Sequence, residues 1–312
     1  MTAAMPLRVG TRGSPLALIQ TRTFIARLQS AHVETVEEHI IRTTGDAVQD
    51  RRLAEIGGKG LFAKEIHDAL TQGRVDLAVH SLKDLETTLP PGIMLGCTLE
   101  REDARDALIL ADPATRVDPT DPFACLPPRA VIGTSSVRRQ AQLLLARPDI
   151  CIAMLRGNVQ TRLNKLSDGA CDASLLAYAG LKRLGLANRA NLVLEPEVML
   201  PAAGQGIIGV TVREDDSRVR DLLAVIDDAA SRAAAIAERA MLQRLDGSCR
   251  TPIGAYAQLV PDGELQLTGL VARADGSFVL KRSLQGAVGD ADRIGRDLGD
   301  SLRADSPLGL FD

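Results

Sequence analysis

Tryptophan is absent from this 312-residue chain, and aromatic residues make up only 2% of it, as two Tyr and five Phe. Packed cores must therefore be aliphatic, and the 45% hydrophobic content supplies them amply. The shortage of aromatics also removes the stacking platforms that hold single-stranded nucleic acids. Charge of one sign is missing too: 37 Lys and Arg against 40 Asp and Glu leave a net charge of -3. Such a chain is no general polyanion binder, so affinity for an acidic ligand has to be local, and nucleic acid is not an expected partner. No apolar run approaches the length of a membrane span, and MTAAMPLRVG leads almost directly into an expected strand, so neither membrane nor export signal is expected. The five cysteines, Cys97, Cys125, Cys151, Cys171 and Cys249, are odd in number and form no CxxC pair. That pattern predicts reduced thiols in a cytoplasmic protein. GxGxxG is absent, and Gly57-Gly58-Lys59-Gly60 lacks the spacing of a phosphate loop, which excludes the nucleotide reading.

What is present reads as two or three domains. Residues 7–10 form an expected strand, followed by Ser14 as a helix N-cap and Pro15 at the first helical position. The helix runs to about residue 30, and 33–42 reads as a second strand. Residues 44–59 are polar, charged and glycine-punctuated, and read as a mobile loop of the kind that closes over a site. A helix over 61–71 and a strand over 75–79 complete an order that argues for a mostly parallel α/β domain. After strands within 93–110, the Pro- and Asp-rich stretch 113–128 reads as a surface excursion. A second α/β unit has strands near 130–132, 150–155 and 173–176 alternating with helices near 136–146, 159–167 and 178–184. A strand over 207–213 follows. From about residue 227 the texture changes to an alanine-rich helix (229–245), three strand-like runs with Asp-Gly turns, and a closing helix over 287–302. This reads as a small α+β domain.

Arginine marks the strand-to-helix junctions. VIGTSSVRRQ (131–140) places Arg138 and Arg139 just inside a helix, and CIAMLRGNVQTR (151–162) carries Arg156 and Arg162 around the next helix start. Helix N-termini offer free N–H groups and a positive dipole end, and guanidinium forks suit carboxylate and phosphate. One such arginine reads as a surface ion pair; four at two junctions imply a ligand with several anionic groups. Thr11-Arg12-Gly13-Ser14 repeats the theme, as do Lys59 and Arg101.

Two further residues carry chemistry. The buried-looking strand Asp76-Leu77-Ala78-Val79 ends in His80-Ser81-Leu82-Lys83-Asp84, where ligands of open α/β sheets bind. Asp84 is either a surface partner of Lys83 or a carboxylate that handles protons and stabilises a cation. His80 has no His or Cys near it in sequence, so no metal site is expected. Cys249, in Asp246-Gly247-Ser248-Cys249-Arg250-Thr251-Pro252, is either an incidental loop thiol or an accessible thiolate stabilised beside Arg250.

Taken together, RVGTRGSPLAL, GGKGLF, DLAVHSLKD, EREDARDA, VIGTSSVRRQ, LRGNVQTRL, AGLKRLGL, LPAAGQG and ERAMLQRLDGSCRTPIGAYA occur in this order across nearly the whole chain. This set resembles the porphobilinogen deaminase (hydroxymethylbilane synthase) family. The chain departs from the family after Asp84, where Leu85-Glu86 stands in place of a frequent Val-Pro. The excursion at 112–121 also looks particular to this chain.

The resemblance implies an α/β fold of two periplasmic-binding-protein-like domains around a cleft plus a small α+β C-terminal domain. Its boundaries would be 6–105 with 204–224, 106–203, and 225–312. It implies a transferase that joins four porphobilinogen molecules head to tail, each with loss of ammonia, onto a dipyrromethane cofactor held by a thioether to Cys249, and releases hydroxymethylbilane with water. Asp84 would be catalytic. Lys83, Ser81, Thr134, Ser136, Arg138, Arg139, Arg156, Asn158 and Gln205 would hold the cofactor. Arg12, Ser14, Gln20, Lys59, Phe62, Arg156 and Arg162 would hold substrate. The implied protein is a monomer. The arginine junctions alone also suit a non-catalytic two-lobed anion-binding module, which has no need of Cys249 or a third domain.

Overall fold

A computed structural model describes residues 6–31, 35–47, 60, 62–246 and 251–311. The chain lays down β1 (Leu7–Thr11), α1 (Pro15–Ser30), β2 (Val36–Ile40), α2 (Thr44–Ala47), α3 (Lys64–Thr71), β3 (Leu77–Ser81) and β4 (Ile93–Thr98). It continues with β5 (Asp106–Leu110), β6 (Val131–Gly133), α4 (Val137–Ala146), β7 (Cys151–Ala153), α5 (Val159–Ser167), β8 (Ala173–Ala177), α6 (Tyr178–Arg183) and β9 (Leu192–Leu194). β10 (Ile208–Arg213) and α7 (Ser217–Ala224) follow. Last come α8 (Ala229–Arg244), β11 (Ile253–Leu259), β12 (Leu265–Ala272), β13 (Val279–Gly286) and α9 (Ala291–Ala304).

Packing gathers the described residues of Met1–Gln49, Gly58–Glu102 and Ile207–Arg232 into one unit, and those of Asp103–Gly206 and Ala233–Asp312 into another. The first unit is built on a five-stranded sheet of order β2-β1-β3-β10-β4. β1 runs parallel to β2 and β3, whereas β10 runs antiparallel to both β3 and β4. The second unit repeats the plan as β7-β6-β8-β5-β9, with β6 parallel to its two neighbours and β5 antiparallel to both of its own. Both sheets are therefore mixed, and the expectation of a mostly parallel first domain is corrected. The antiparallel strand of the first sheet is the late segment β10. Its residues Ile208 to Val212 are all buried, and a run buried on both faces carries no signal of direction.

The cores are aliphatic, as the composition requires. Leu7, Val9, Leu77, Val79, Val210 and Val212 line one face of the first sheet against Phe24 and Leu28 of α1, and Ile66, Leu70 and Ala78 line the other. In the second unit Leu108, Ile132, Ala173 and Leu175 share a core with Phe123 and Leu126. The stretch 113–128 is thus more than a surface excursion, because Phe123 and Leu126 are buried and anchor it. Residues 44–47, expected in a loop, form one helical turn whose Thr44 N–H and Oγ1–H both donate to Glu65 Oε1; residues 48–59 lie outside the described set.

The C-terminal part of the second unit is an antiparallel sheet of order β11-β12-β13 covered by α9, with Met241 of α8 reaching Gly269 of β12. Ile294, Leu298 and Leu302 of α9 are buried at helical spacing. Gly295 and Gly299 let α9 approach α8: a Cβ at Gly295 would collide with the Ala237 carbonyl, and one at Gly299 would lie 2.6 Å from Arg244 Cβ.

Candidate active site

In the first unit, the carboxyl ends of adjacent parallel strands bring candidate residues together. β1 ends at Thr11, and Ser14 caps α1 by accepting from the Ala17 N–H at 3.3 Å. β3 ends at Ser81 and passes into a 3-10 turn over Leu82–Asp84, where the Leu82 N–H donates to the Ile207 carbonyl at 3.0 Å. Leu82 and Leu85 are buried while Lys83 and Asp84 between them are exposed, so packing of the flanking leucines presents the carboxylate outward. Arg12 Nη1 stands 3.9 Å from Asp84 Oδ2, and the Arg12 guanidinium lies over the Phe62 ring at 4.1 Å from its centroid. Gln20 and Ser81 are joined reciprocally: Gln20 Nε2 donates to Ser81 Oγ at 2.9 Å, and Ser81 Oγ donates to Gln20 Oε1 at 3.0 Å. Arg12, Gln20, Phe62, Ser81 and Asp84 thus share one end of the first sheet. Lys59 lies outside the described residues.

Behind this end, His80 is buried and bonds Thr211 Oγ1 through Nε2 at 2.9 Å. Its ring lies 5.7 Å from that of His67, which burial pushes down to about 4, and His67 Nδ1 is 3.8 Å from Glu86 Oε1. Glu86 is half of the Leu85-Glu86 departure from the family pattern.

In the second unit, β6 and β7 run parallel, so the two arginine junctions lie side by side. The Ser135 hydroxyl ties them by donating to the Leu155 carbonyl at 2.9 Å. Ser136 caps α4 by accepting from the Arg139 N–H, Thr134 Oγ1 accepts from the Ser136 N–H at 3.1 Å, and Asn158 caps α5 by accepting from the Thr161 N–H at 2.8 Å. The oxygens expected to meet a ligand are thus engaged in building the helix starts. Arg156 is buried, and Arg162 Nε donates to the Gly157 carbonyl at 2.9 Å.

Arg138 and Arg139 are also buried, at 4% and 6% exposure. Their partner is Asp106, at the head of β5 and fully buried. Arg138 Nη2 donates to Oδ2 and Arg139 Nη2 to Oδ1, both at 2.7 Å. Arg138 Nη1 donates to the Leu200 carbonyl at 2.5 Å, and Arg139 Nη1 to the Leu175 carbonyl at 2.8 Å. Gln205 Nε2 donates to Asp106 Oδ1 at 2.9 Å and to the Ala104 carbonyl at 2.7 Å. Burial alone would raise the Asp106 carboxyl; the two guanidiniums and the Arg139 and Gln205 hydrogen bonds more than reverse this and hold it well below the usual carboxylate range.

Asp106 is a buried ionised residue that the sequence did not single out. The only signal was a lone carboxylate opening the buried run Ala107-Leu108-Ile109-Leu110, a position that demands a partner. Glu238 is a second case: fully buried on α8, it accepts from the Gly204 N–H at 2.6 Å and the Ala257 N–H at 2.7 Å. Glu238 thereby ties the turn bearing Gln205 to α8 and β11, the elements on either side of Cys249 in the chain. Cys249 itself lies outside the described residues. The buried thiols are poor nucleophiles, since burial pushes Cys97 up to about 12 and raises Cys171.

Residues 7–221 match the sequence model described as porphobilinogen deaminase, dipyromethane cofactor binding domain, and residues 233–304 match its C-terminal domain. This chain belongs to the porphobilinogen deaminase family. The porphobilinogen deaminase of Paracoccus denitrificans (strain Pd 1222) is 48% identical over 310 residues, covering 98% of this chain and 96% of that protein. The chloroplastic porphobilinogen deaminase of Oryza sativa subsp. japonica is 47% identical over 314 residues, covering 98% of this chain and 86% of that protein. Among solved structures, a periplasmic sulfonate-binding protein from Methylobacillus flagellatus superposes with a TM-score of 0.40 at 11% identity, covering 79% of this chain and 69% of that one.

The second unit suits the acidic cofactor of the deaminase family. Two guanidiniums against one carboxylate leave a net positive charge, and Nε of both Arg138 and Arg139 is buried without a hydrogen-bond partner among the described residues. Orphaned buried donors call for acceptor oxygens, which carboxylate side groups supply. No helix of the described residues is long and apolar enough to cross a membrane.

Proposed function

We propose that this chain condenses porphobilinogen head to tail, releasing one ammonia at each joining and finally hydroxymethylbilane, in the manner its family name implies. The observation that carries this reading is Asp84, an exposed carboxylate at the carboxyl end of a buried parallel strand, whose one ion pair among the described residues is the 3.9 Å contact with Arg12. A carboxylate so placed keeps lone pairs available to substrate. It can hand a proton to the departing amine and face the positive charge that develops as the carbon–nitrogen bond breaks. Arg12, held over Phe62, binds a substrate carboxylate beside Asp84. Gln20 steadies Ser81 at the strand end, and Ser14, Lys59 and Arg162 complete the substrate set.

The cofactor belongs in this reading as a dipyrromethane held through Cys249, where it would supply the acceptor end to which pyrroles are joined. Lys83, Ser81, Thr134, Ser136, Arg138, Arg139, Arg156, Asn158 and Gln205 are the residues assigned to hold it. The division into 6–105 with 204–224, 106–203 and 225–312 assigns Asp84 to the first domain, the arginine junctions to the second and Cys249 to the third. A monomer working in a cytoplasmic, reducing compartment completes the reading.

Incubation with porphobilinogen tests the activity. The expected result is ammonia released in step with porphobilinogen consumed, with a coloured tetrapyrrole accumulating. Binding of porphobilinogen without ammonia release would overturn the reading in favour of a non-catalytic anion-binding module.

A further inference from the structure

The Asp106 cluster is built more closely than burial of two arginines requires. Each guanidinium gives Nη1 to a backbone carbonyl and Nη2 to a different oxygen of the same carboxylate. One carboxylate is thereby divided between two forks. Gln205, itself tied to the Ala104 carbonyl, adds a third donor to Oδ1. Two contacts on each planar guanidinium fix its position and the rotation of its plane. Asp106 also limits the charge. Without it, Arg138 and Arg139 would set two like charges side by side in the first turn of α4, where the helix dipole is already positive. With it, one positive charge remains, together with the two orphaned Nε donors.

We propose that Asp106 is a positioning residue for carboxylate capture: it holds Arg138 and Arg139 in the orientation that receives an acid group of the covalently held cofactor, with Gln205 holding Asp106 in turn. Asp106 acts through the arginines and touches no reacting atom. The proposal rests on the deaminase reading.

Intact mass spectrometry of the folded fraction, paired with thermal melting, tests it on two variants. Asp106→Asn keeps the shape of the side chain but removes the charge and one acceptor. Gln205→Met keeps both ion pairs and removes the donor to Oδ1 together with its bond to the Ala104 carbonyl. In folded Asp106→Asn, occupancy of the two-pyrrole adduct is expected to fall about tenfold or more, the loss that follows when a charge-assisted contact is removed from a buried site. In Gln205→Met an intermediate occupancy is expected, with a small change in melting temperature. Full occupancy in folded Asp106→Asn, accompanied only by a lower melting temperature, would show a purely structural role and overturn the proposal. Should Asp106→Asn not fold, Gln205→Met decides, and full occupancy there overturns it. Wild-type protein is the control that separates the two ideas: an unmodified but active wild type would sink the covalent-cofactor part of the deaminase reading, whereas an adduct-bearing wild type with adduct-bearing variants would sink only the role of Asp106.

Discussion

Asp84 and Asp106 both face arginine, and the contrast between them separates chemistry from architecture. Asp84 has a side chain 38% exposed and an ion pair at 3.9 Å; Asp106 is wholly buried with two pairs at 2.7 Å. A distant, half-solvated pair contributes little to stability and leaves the carboxylate available. A buried, doubly paired carboxylate is fully engaged by the protein, and removing it strands two charges. On the proposed reading, the same residue type serves the reaction directly at one sheet and through its neighbours at the other.

The largest expected effect tests the available carboxylate. Asp84→Asn should lower the rate of ammonia release by about 10²- to 10⁴-fold, the usual contribution of a positioned proton-transfer group. Its melting temperature should stay near that of wild type, because the pair it loses is worth at most about 1 kcal/mol. Unimpaired turnover would break the comparison. Asp106→Asn should reverse the emphasis, lowering the free energy of unfolding by about 3–5 kcal/mol in denaturant titrations because two buried guanidiniums lose their counter-charge. A loss below about 1 kcal/mol would mean that the pair is satisfied by other means.

The two regions should also differ in their response to acid. His67, buried behind the strand that carries Asp84, is pushed from 6.5 down to about 4 by burial, against the opposing influence of Asp68; Glu86 Oε1 and the His80 ring also face it. The unfolded chain therefore binds a proton here at a pH where the folded one does not, and stability falls as pH drops from 6.5 towards 4. His67→Gln should remove that part of the slope, on the order of 3 kcal/mol across the interval. The Asp106 contribution has the depressed-carboxylate sign: it is present above the ordinary carboxylate range and is lost only as pH falls well below it. An unchanged slope in His67→Gln would place the acid sensitivity elsewhere. Smallest of all, Asn158→Ala should cost about 1 kcal/mol of stability through the lost cap on α5. A cofactor-bearing fraction unchanged in that variant would assign Asn158 to architecture rather than to the ligand.

What could be read from the sequence divides along the same line. Ser14 was legible as a helix cap because a cap and its N–H lie three residues apart, whereas Ser136 and Asn158, expected at the ligand, were found to cap their helices in the same way. Asp84 was legible because a polar cluster followed a buried run. Asp106 was not, because its partners lie 32, 33 and 99 residues away and only the folded chain brings them together. The direction of β10 escaped for a related reason, since pairing direction in a fully buried strand is decided by its neighbours and not by its own pattern. Arginines at helix starts suggested an anion site, yet gave no hint that Arg138 and Arg139 would be held by a carboxylate of the protein itself.

On the proposed reading, the arginines serve an acid group tethered to the protein itself. The intact mass of the purified wild-type chain tests it most directly. An increment of two linked pyrrole units, lost in Cys249→Ser, is the predicted result; an active protein with the bare mass of its amino-acid sequence would contradict it.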